Sequence, residues 1–102
     1  MKQDELYQRI QSSTAPLIVD PRSASEFRTG HIPGAVNAPV RKILVNKSGL
    51  PKDKDTEMVI ACMHGQRAVI AKFILGRYGY RNMELLDGYI KAWKASGLPL
   101  EK

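Results

Sequence analysis

One cysteine, Cys62, stands among 102 residues. An internal disulfide is therefore excluded, and a reducing compartment is the natural home of such a chain. No apolar stretch approaches the ~18 residues of a membrane span. The opening Met1-Lys2-Gln3-Asp4-Glu5 has no apolar core of the kind a signal peptide needs. The expected setting is cytoplasmic, with no membrane association. Aromatic residues make up 7%, too few for the stacking platform of a single-strand nucleic-acid binder. Runs of like charge are missing as well. The net charge of +6 comes from basic residues spread along the chain. It reads as a solvated surface that steers small anions, not as a nucleic-acid interface. Two histidines and one cysteine, far apart, make no zinc pattern, so no metal and no organic cofactor is expected. Internal repeats and low-complexity tracts are also lacking.

What is present is an ordinary globular composition, 43% hydrophobic and 25% charged, of a length that suits one domain over residues 1–102. Short β-like runs alternate with helical segments, which predicts an α/β domain with a mostly parallel sheet. Residues 4–12 read as a helix with Asp4 at its start. Leu17-Ile18-Val19 is a buried strand ending at Asp20, and Pro21 stops further pairing. Ser23 to Phe27 is a short helix, with Ser23 and Glu26 forming a capping box. Gly30 to Gly34 is a turn, in which His31 finds backbone partners. Residues 35–38 form a second strand, 41–46 a brief helix and 47–56 a polar loop. Met58 to Ala61 is a third strand. Residues 67–78 form a helix apolar nearly all round, hence expected to be buried, and Gly79 ends it. Residues 82–86 give a fourth strand and 89–96 a last helix, with Trp93 in the core. Four strands are expected, with a fragment of a fifth.

Cys62 ends the third strand and opens a short turn, Met63-His64-Gly65-Gln66, which reaches Arg67 and the long helix. Backbone N–H groups in such a loop point inward, and the helix start adds partial positive charge. A free thiol titrates near ~8.5, and values of roughly 3.5–7.5 are found in such places. The pattern therefore points to nucleophilic sulfur chemistry, held without a side-chain base. Gly65 suits a nest that needs a φ other residues resist. The bland alternative is a buried, inert thiol. Strand carboxyl ends are where ligands bind in open α/β sheets, and both Cys62 and Asp20 lie at such ends.

Three segments resemble the signatures of rhodanese domains. Asp20-Pro21-Arg22, Glu26-Phe27 and Gly30 to Asn37 resemble the N-terminal one. Cys62 to Arg67 resembles the active-site loop. Leu86-Asp87-Gly88-Tyr89, running on to Ala92-Trp93 and Gly97-Leu98-Pro99, resembles the closing one. The segments come in family order and span residues 17–99. The resemblance implies a three-layer α/β/α rhodanese-like domain with four to five strands. It also implies a thiosulfate sulfurtransferase working by double displacement. Cys62 would be the nucleophile that carries a persulfide, and Met63, His64, Gly65, Gln66 and Arg67 the loop that cradles it. A small anionic donor such as thiosulfate would supply the sulfur. Cyanide, a thiol or a partner protein would accept it. Three departures stand out: Pro21 replaces a hydrophobic residue, Met63 replaces a cation, and Tyr89 replaces a second glycine.

Among these residues, Arg67 is expected to organise the loop more than to touch substrate. A cation at a helix start calls for a carboxylate, and Asp20 is the expected partner. Asp20 and Arg22 are expected to be structural, and His64 to face solvent. Two other functions share the fold. A persulfide carrier or binding module would need a partner protein to turn over. Phosphatases and arsenate reductases of this fold have a loop one residue longer, and the six-residue loop here suits sulfur better.

Overall fold

The computed structural model describes residues 1–102. Strands β1 (Leu17–Asp20), β2 (Val36–Asn37), β3 (Met58–Ile60) and β4 (Met83–Leu85) alternate with helices. The helices are α1 (Gln3–Gln11), α2 (Ala24–Thr29), α3 (Val40–Leu44), α4 (Gln66–Arg77) and α5 (Tyr89–Ala95). The strands form one sheet in the order β2-β1-β3-β4, and every pairing is parallel. No fifth strand forms; the one further pairing is an antiparallel bridge between His31 and Glu101.

Strand alternation explains the layers. Successive side chains point to opposite faces of a sheet. From β3, Met58, Ile60 and then Cys62 join Val19, Ala38, Ile43, Ala68, Ala71 and Leu75 on the side covered by α3 and α4. Val59 and Ala61 join Ile18, Leu6, Leu86, Ile90 and Trp93 on the side covered by α1 and α5. The result is the three-layer α/β/α arrangement, with a core on each face of the sheet. Trp93 is fully buried, and its indole Nε1–H donates to the Pro99 carbonyl at 2.7 Å.

Among the five helices only α2 starts with a side-chain cap. Ser23 caps α2, and its capping box with Glu26 is complete in both directions. Helix α1 begins one residue earlier than expected, with Lys2 as its N-cap and no side-chain cap. Asp4 instead lies in the first turn, accepting the Glu5 N–H at 2.9 Å, where its charge still suits the helix dipole.

Helix α4 corrects an expectation. Its apolar sequence predicts burial all round, yet Val69, Ile70 and Phe73 are 51%, 50% and 69% exposed. Only Ala68, Ala71 and Leu75 are buried. A helix lying on a sheet covers it with one face, and no element packs on the opposite face of α4. The central position of Cys62 is set by β3, an inner strand, and not by burial of the helix.

Candidate active site

The sheet order reverses direction at one place. From β1 the chain moves to β2 on one side, then returns to place β3 on the other. Ligands of open α/β sheets bind outside the strand carboxyl ends at such a switch point. Asp20 ends β1 there, and Cys62 lies two residues past β3.

The loop from Cys62 to Arg67 folds around the sulfur. Cys62 Sγ accepts the Gly65 N–H at 2.9 Å and the Ala68 N–H at 3.3 Å, and the residue is 2% exposed. It is buried, then, but on main-chain donors rather than in hydrocarbon alone. Gly65 has φ +93, a left-handed conformation that makes it the N-cap of α4 and aims its N–H back at the sulfur. Ala68 lies in the first turn of α4, where N–H groups have no partner within the helix. The N–H groups of Met63, His64, Gln66 and Arg67 donate to no protein atom. Seven consecutive positions, 62–68, thus offer a sulfur, two amides engaged with it and four more uncommitted. Such a concave set of donors stabilises negative charge.

The loop is anchored from behind. The first N–H groups of α5 donate to it, Ile90 to the Cys62 carbonyl at 3.0 Å and Lys91 to the Met63 carbonyl at 3.1 Å. The side chains of His64 and Gln66 face solvent, and Met63 packs against the α1–α5 core. With those side chains turned away, the loop meets the sulfur through its backbone.

Arg67 does not pair with Asp20. Its guanidinium forms a two-bond pair with Glu26, at 2.5 Å to Oε1 and 2.9 Å to Oε2. The hydrogen bond from Arg67 holds the Glu26 carboxyl down at about 2, and Ser23 contributes further. Glu26 therefore serves two elements at once. It completes the cap of α2 and fastens the Cys62–Arg67 loop to that helix. Asp20 is taken by Arg22 instead. Arg22 donates from its backbone N–H at 3.0 Å, from Nε at 3.0 and 3.1 Å, and from Nη2 at 2.8 Å. Both side chains are 2% exposed. The remaining reach of Arg22 goes to the Gly30 carbonyl at 2.8 Å. The spacing explains the choice: two residues apart across a proline turn, Arg22 reaches Asp20 with its backbone and side chain together. Asp20 and Arg22 thus belong to the framework under the loop.

Sequence reasoning places Cys62, the loop, Asp20 and Arg22 at one end of the sheet, and the structure brings them together there. It misses Glu26, visible in the sequence only as a cap. It also misses Tyr89, which meets the loop from α5. His31 does find backbone, with Nδ1 2.8 Å from the Phe27 carbonyl, and its ring stacks on Phe27 at 3.7 Å between centroids. The largest cleft, about 720 Å³, runs between α4 and β4 past Val69, Phe73, Met83 and Leu85, and its lining does not include Cys62. No helix is long and apolar enough to cross a membrane.

Known proteins share this design. The family model described as Rhodanese-like domain matches residues 2–96. The chain is 37% identical, over 97 residues, to a protein of Allochromatium vinosum named Sulfurtransferase; the match covers 95% of this chain and 89% of that one. It is 29% identical to the Thiosulfate:glutathione sulfurtransferase of Saccharomyces cerevisiae, over 79% of this chain and 66% of the relative. Among solved structures, a rhodanese-related protein of Thermoplasma volcanium superposes with a TM-score of 0.82 at 26% identity, covering 99% of this chain and 95% of that one. A main-chain nest around a cysteine at the sheet's switch point, together with these matches, places the chain in the rhodanese-like domain family.

Proposed function

We propose that this chain is a sulfurtransferase that carries sulfane sulfur on Cys62, with thiosulfate as the donor class. The observation that carries the reading is the pair of amides, from Gly65 and Ala68, donating to Sγ at the start of α4. Main-chain donors aimed at a sulfur in this way stabilise negative charge that develops on it during a displacement.

The reaction has two displacements. In the first, Cys62 Sγ attacks the outer sulfur of thiosulfate. An S–S bond forms on the cysteine, the donor's own S–S bond breaks, and sulfite leaves with the electron pair. The persulfide then lies where the uncommitted N–H groups of Met63, His64, Gln66 and Arg67 can hold its charge. In the second, cyanide or a thiolate attacks the outer sulfur of the persulfide, and the Cys62 thiolate departs. The acceptor leaves as thiocyanate or as its own persulfide. A thiol or a protein thiol serves as acceptor on the same chemistry, and a reducing compartment suits both.

The loop length favours this over phosphate chemistry. Six residues from Cys62 to Arg67 close around one sulfur, with Sγ already engaged by two amides. Steady-state kinetics with thiosulfate and cyanide test the reading. Double displacement predicts parallel lines in double-reciprocal plots, with sulfite released before cyanide is added. Intersecting lines, or no sulfite without acceptor, would reject it.

A further inference from the structure

Tyr89 is an outlier with a precise location. It has φ +57, and it follows Gly88 at φ +74, so the chain enters α5 through two consecutive left-handed residues. A bulky residue is rarely found there, and it persists only where the surroundings over-determine it. The backbone around it is fully engaged. The Tyr89 N–H donates to the Leu86 carbonyl at 3.1 Å, and its carbonyl accepts Gln3 Nε2 at 2.9 Å. The hydroxyl has no hydrogen-bond partner in the protein, so it does not account for the strained placement.

The ring does something specific. A Cβ added to Gly65 would lie 2.3 Å from Tyr89 Cε2 and 2.4 Å from Cζ. The ring fills the space a side chain at residue 65 would occupy, so it rests directly on the Gly65 backbone. Gly65 in turn owes its N–H direction to a left-handed φ. The ring also packs against the core cluster that contains Cys62. The loop is thus gripped on two sides, by the first N–H groups of α5 at Cys62 and Met63, and by the first side chain of α5 at Gly65.

We propose that Tyr89 is a positioning residue whose ring presses on Gly65 and keeps the Gly65 N–H on the Cys62 sulfur. The inference rests on Cys62 being the nucleophile of the proposed function. The strain at Tyr89 is the cost of placing an aromatic ring where a small residue would leave the loop free. Arg67, the cation of the loop, is tied to Glu26. Asp20 and Arg22 neutralise each other. The ring meets the loop at Gly65.

The test uses Tyr89→Gly, Tyr89→Phe, Gly65→Ala and the double variant Tyr89→Gly/Gly65→Ala in the full chain. Three readouts are taken: amide hydrogen exchange of Gly65 by NMR, the pH profile of Cys62 alkylation by iodoacetamide, and thermal unfolding. Tyr89→Gly should speed Gly65 exchange about tenfold or more and move the alkylation profile to higher pH, with unfolding still cooperative. Tyr89→Phe should restore both. Gly65→Ala should lower Tm much more in the wild-type background than in Tyr89→Gly, because the ring it collides with is gone. The proposal is overturned if Tyr89→Gly leaves the exchange rate and the profile unchanged, or if the two substitutions add independently. Both results are readable whether or not thiosulfate proves to be the donor. Failure of sulfur loading in wild type would instead overturn the proposed function.

Discussion

Asp20→Ala should destabilise this domain strongly although Asp20 lies outside the Cys62 loop. The substitution removes the acceptor of four hydrogen bonds from Arg22 and leaves a guanidinium that is 2% exposed. Its single remaining partner is the Gly30 carbonyl. Breaking one partner from a buried ion pair costs about 3–5 kcal/mol, because the other charge stays out of water. Single domains hold together by only about 5–15 kcal/mol. A loss of that size should lower Tm by roughly 10 °C or more in a domain of this length. Urea unfolding followed by circular dichroism gives the change in free energy. Replacing both residues, as Asp20→Ala with Arg22→Leu, should recover part of it, since the stranded charge is then gone. A loss below about 1 kcal/mol for Asp20→Ala would refute the reasoning, since that is the scale of an exposed pair. It would mean that the pair is solvated and does not frame the end of the sheet.

Glu26→Gln should behave differently, because the Glu26–Arg67 pair is about 40% exposed on both sides. Its stability effect should stay near ~0.5–1 kcal/mol after screening, while thiosulfate turnover falls several-fold as the loop loses its tether. Equal turnover in the variant would contradict the tether. The pH dependence has a definite sign. The folded-state pKa of Glu26 is depressed to about 2 from 4.5, mainly by Arg67, so its contribution is present above the unfolded value. The stability difference between wild type and Glu26→Gln should therefore shrink as pH falls from 4.5 through about 2, as measured by urea midpoints at each pH. A difference that grows on acidification would contradict it. Trp93→Ala should cost about 3–5 kcal/mol in chemical denaturation. It empties the centre of the α1–α5 core and frees the Pro99 carbonyl.

The layers and the position of Cys62 were legible in the sequence because they rest on local chemistry. Strand runs at 17–20 and 58–61, the Ser23–Glu26 capping box, and glycines at 65, 79 and 88 each act within a few residues of themselves. A lone cysteine between a strand and a glycine turn then has one place to go. What escaped was set by pairing across the fold. Asp20 and Arg67 both lie near strand carboxyl ends, but a short-range rival, Arg22, reaches Asp20 first. Arg67 finds Glu26 across 41 positions of sequence. Helix α4 is apolar enough to be buried, yet the number of neighbours it packs against is a property of topology. Its Phe73 therefore stands in solvent. Tyr89 read only as the start of a helix at a position where a second glycine is common, because nothing in its neighbours announces a positive φ. The clue was its place directly after Gly88, where resembling sequences have a second glycine.

In the proposed reaction Cys62 itself carries the transferred sulfur. Intact mass after thiosulfate treatment measures it most directly, on wild type and on Cys62→Ser. Wild type should gain one sulfur atom and lose it on addition of cyanide, while Cys62→Ser should gain none. Wild type that stays unmodified, or a serine variant that loads sulfur equally well, would contradict the account.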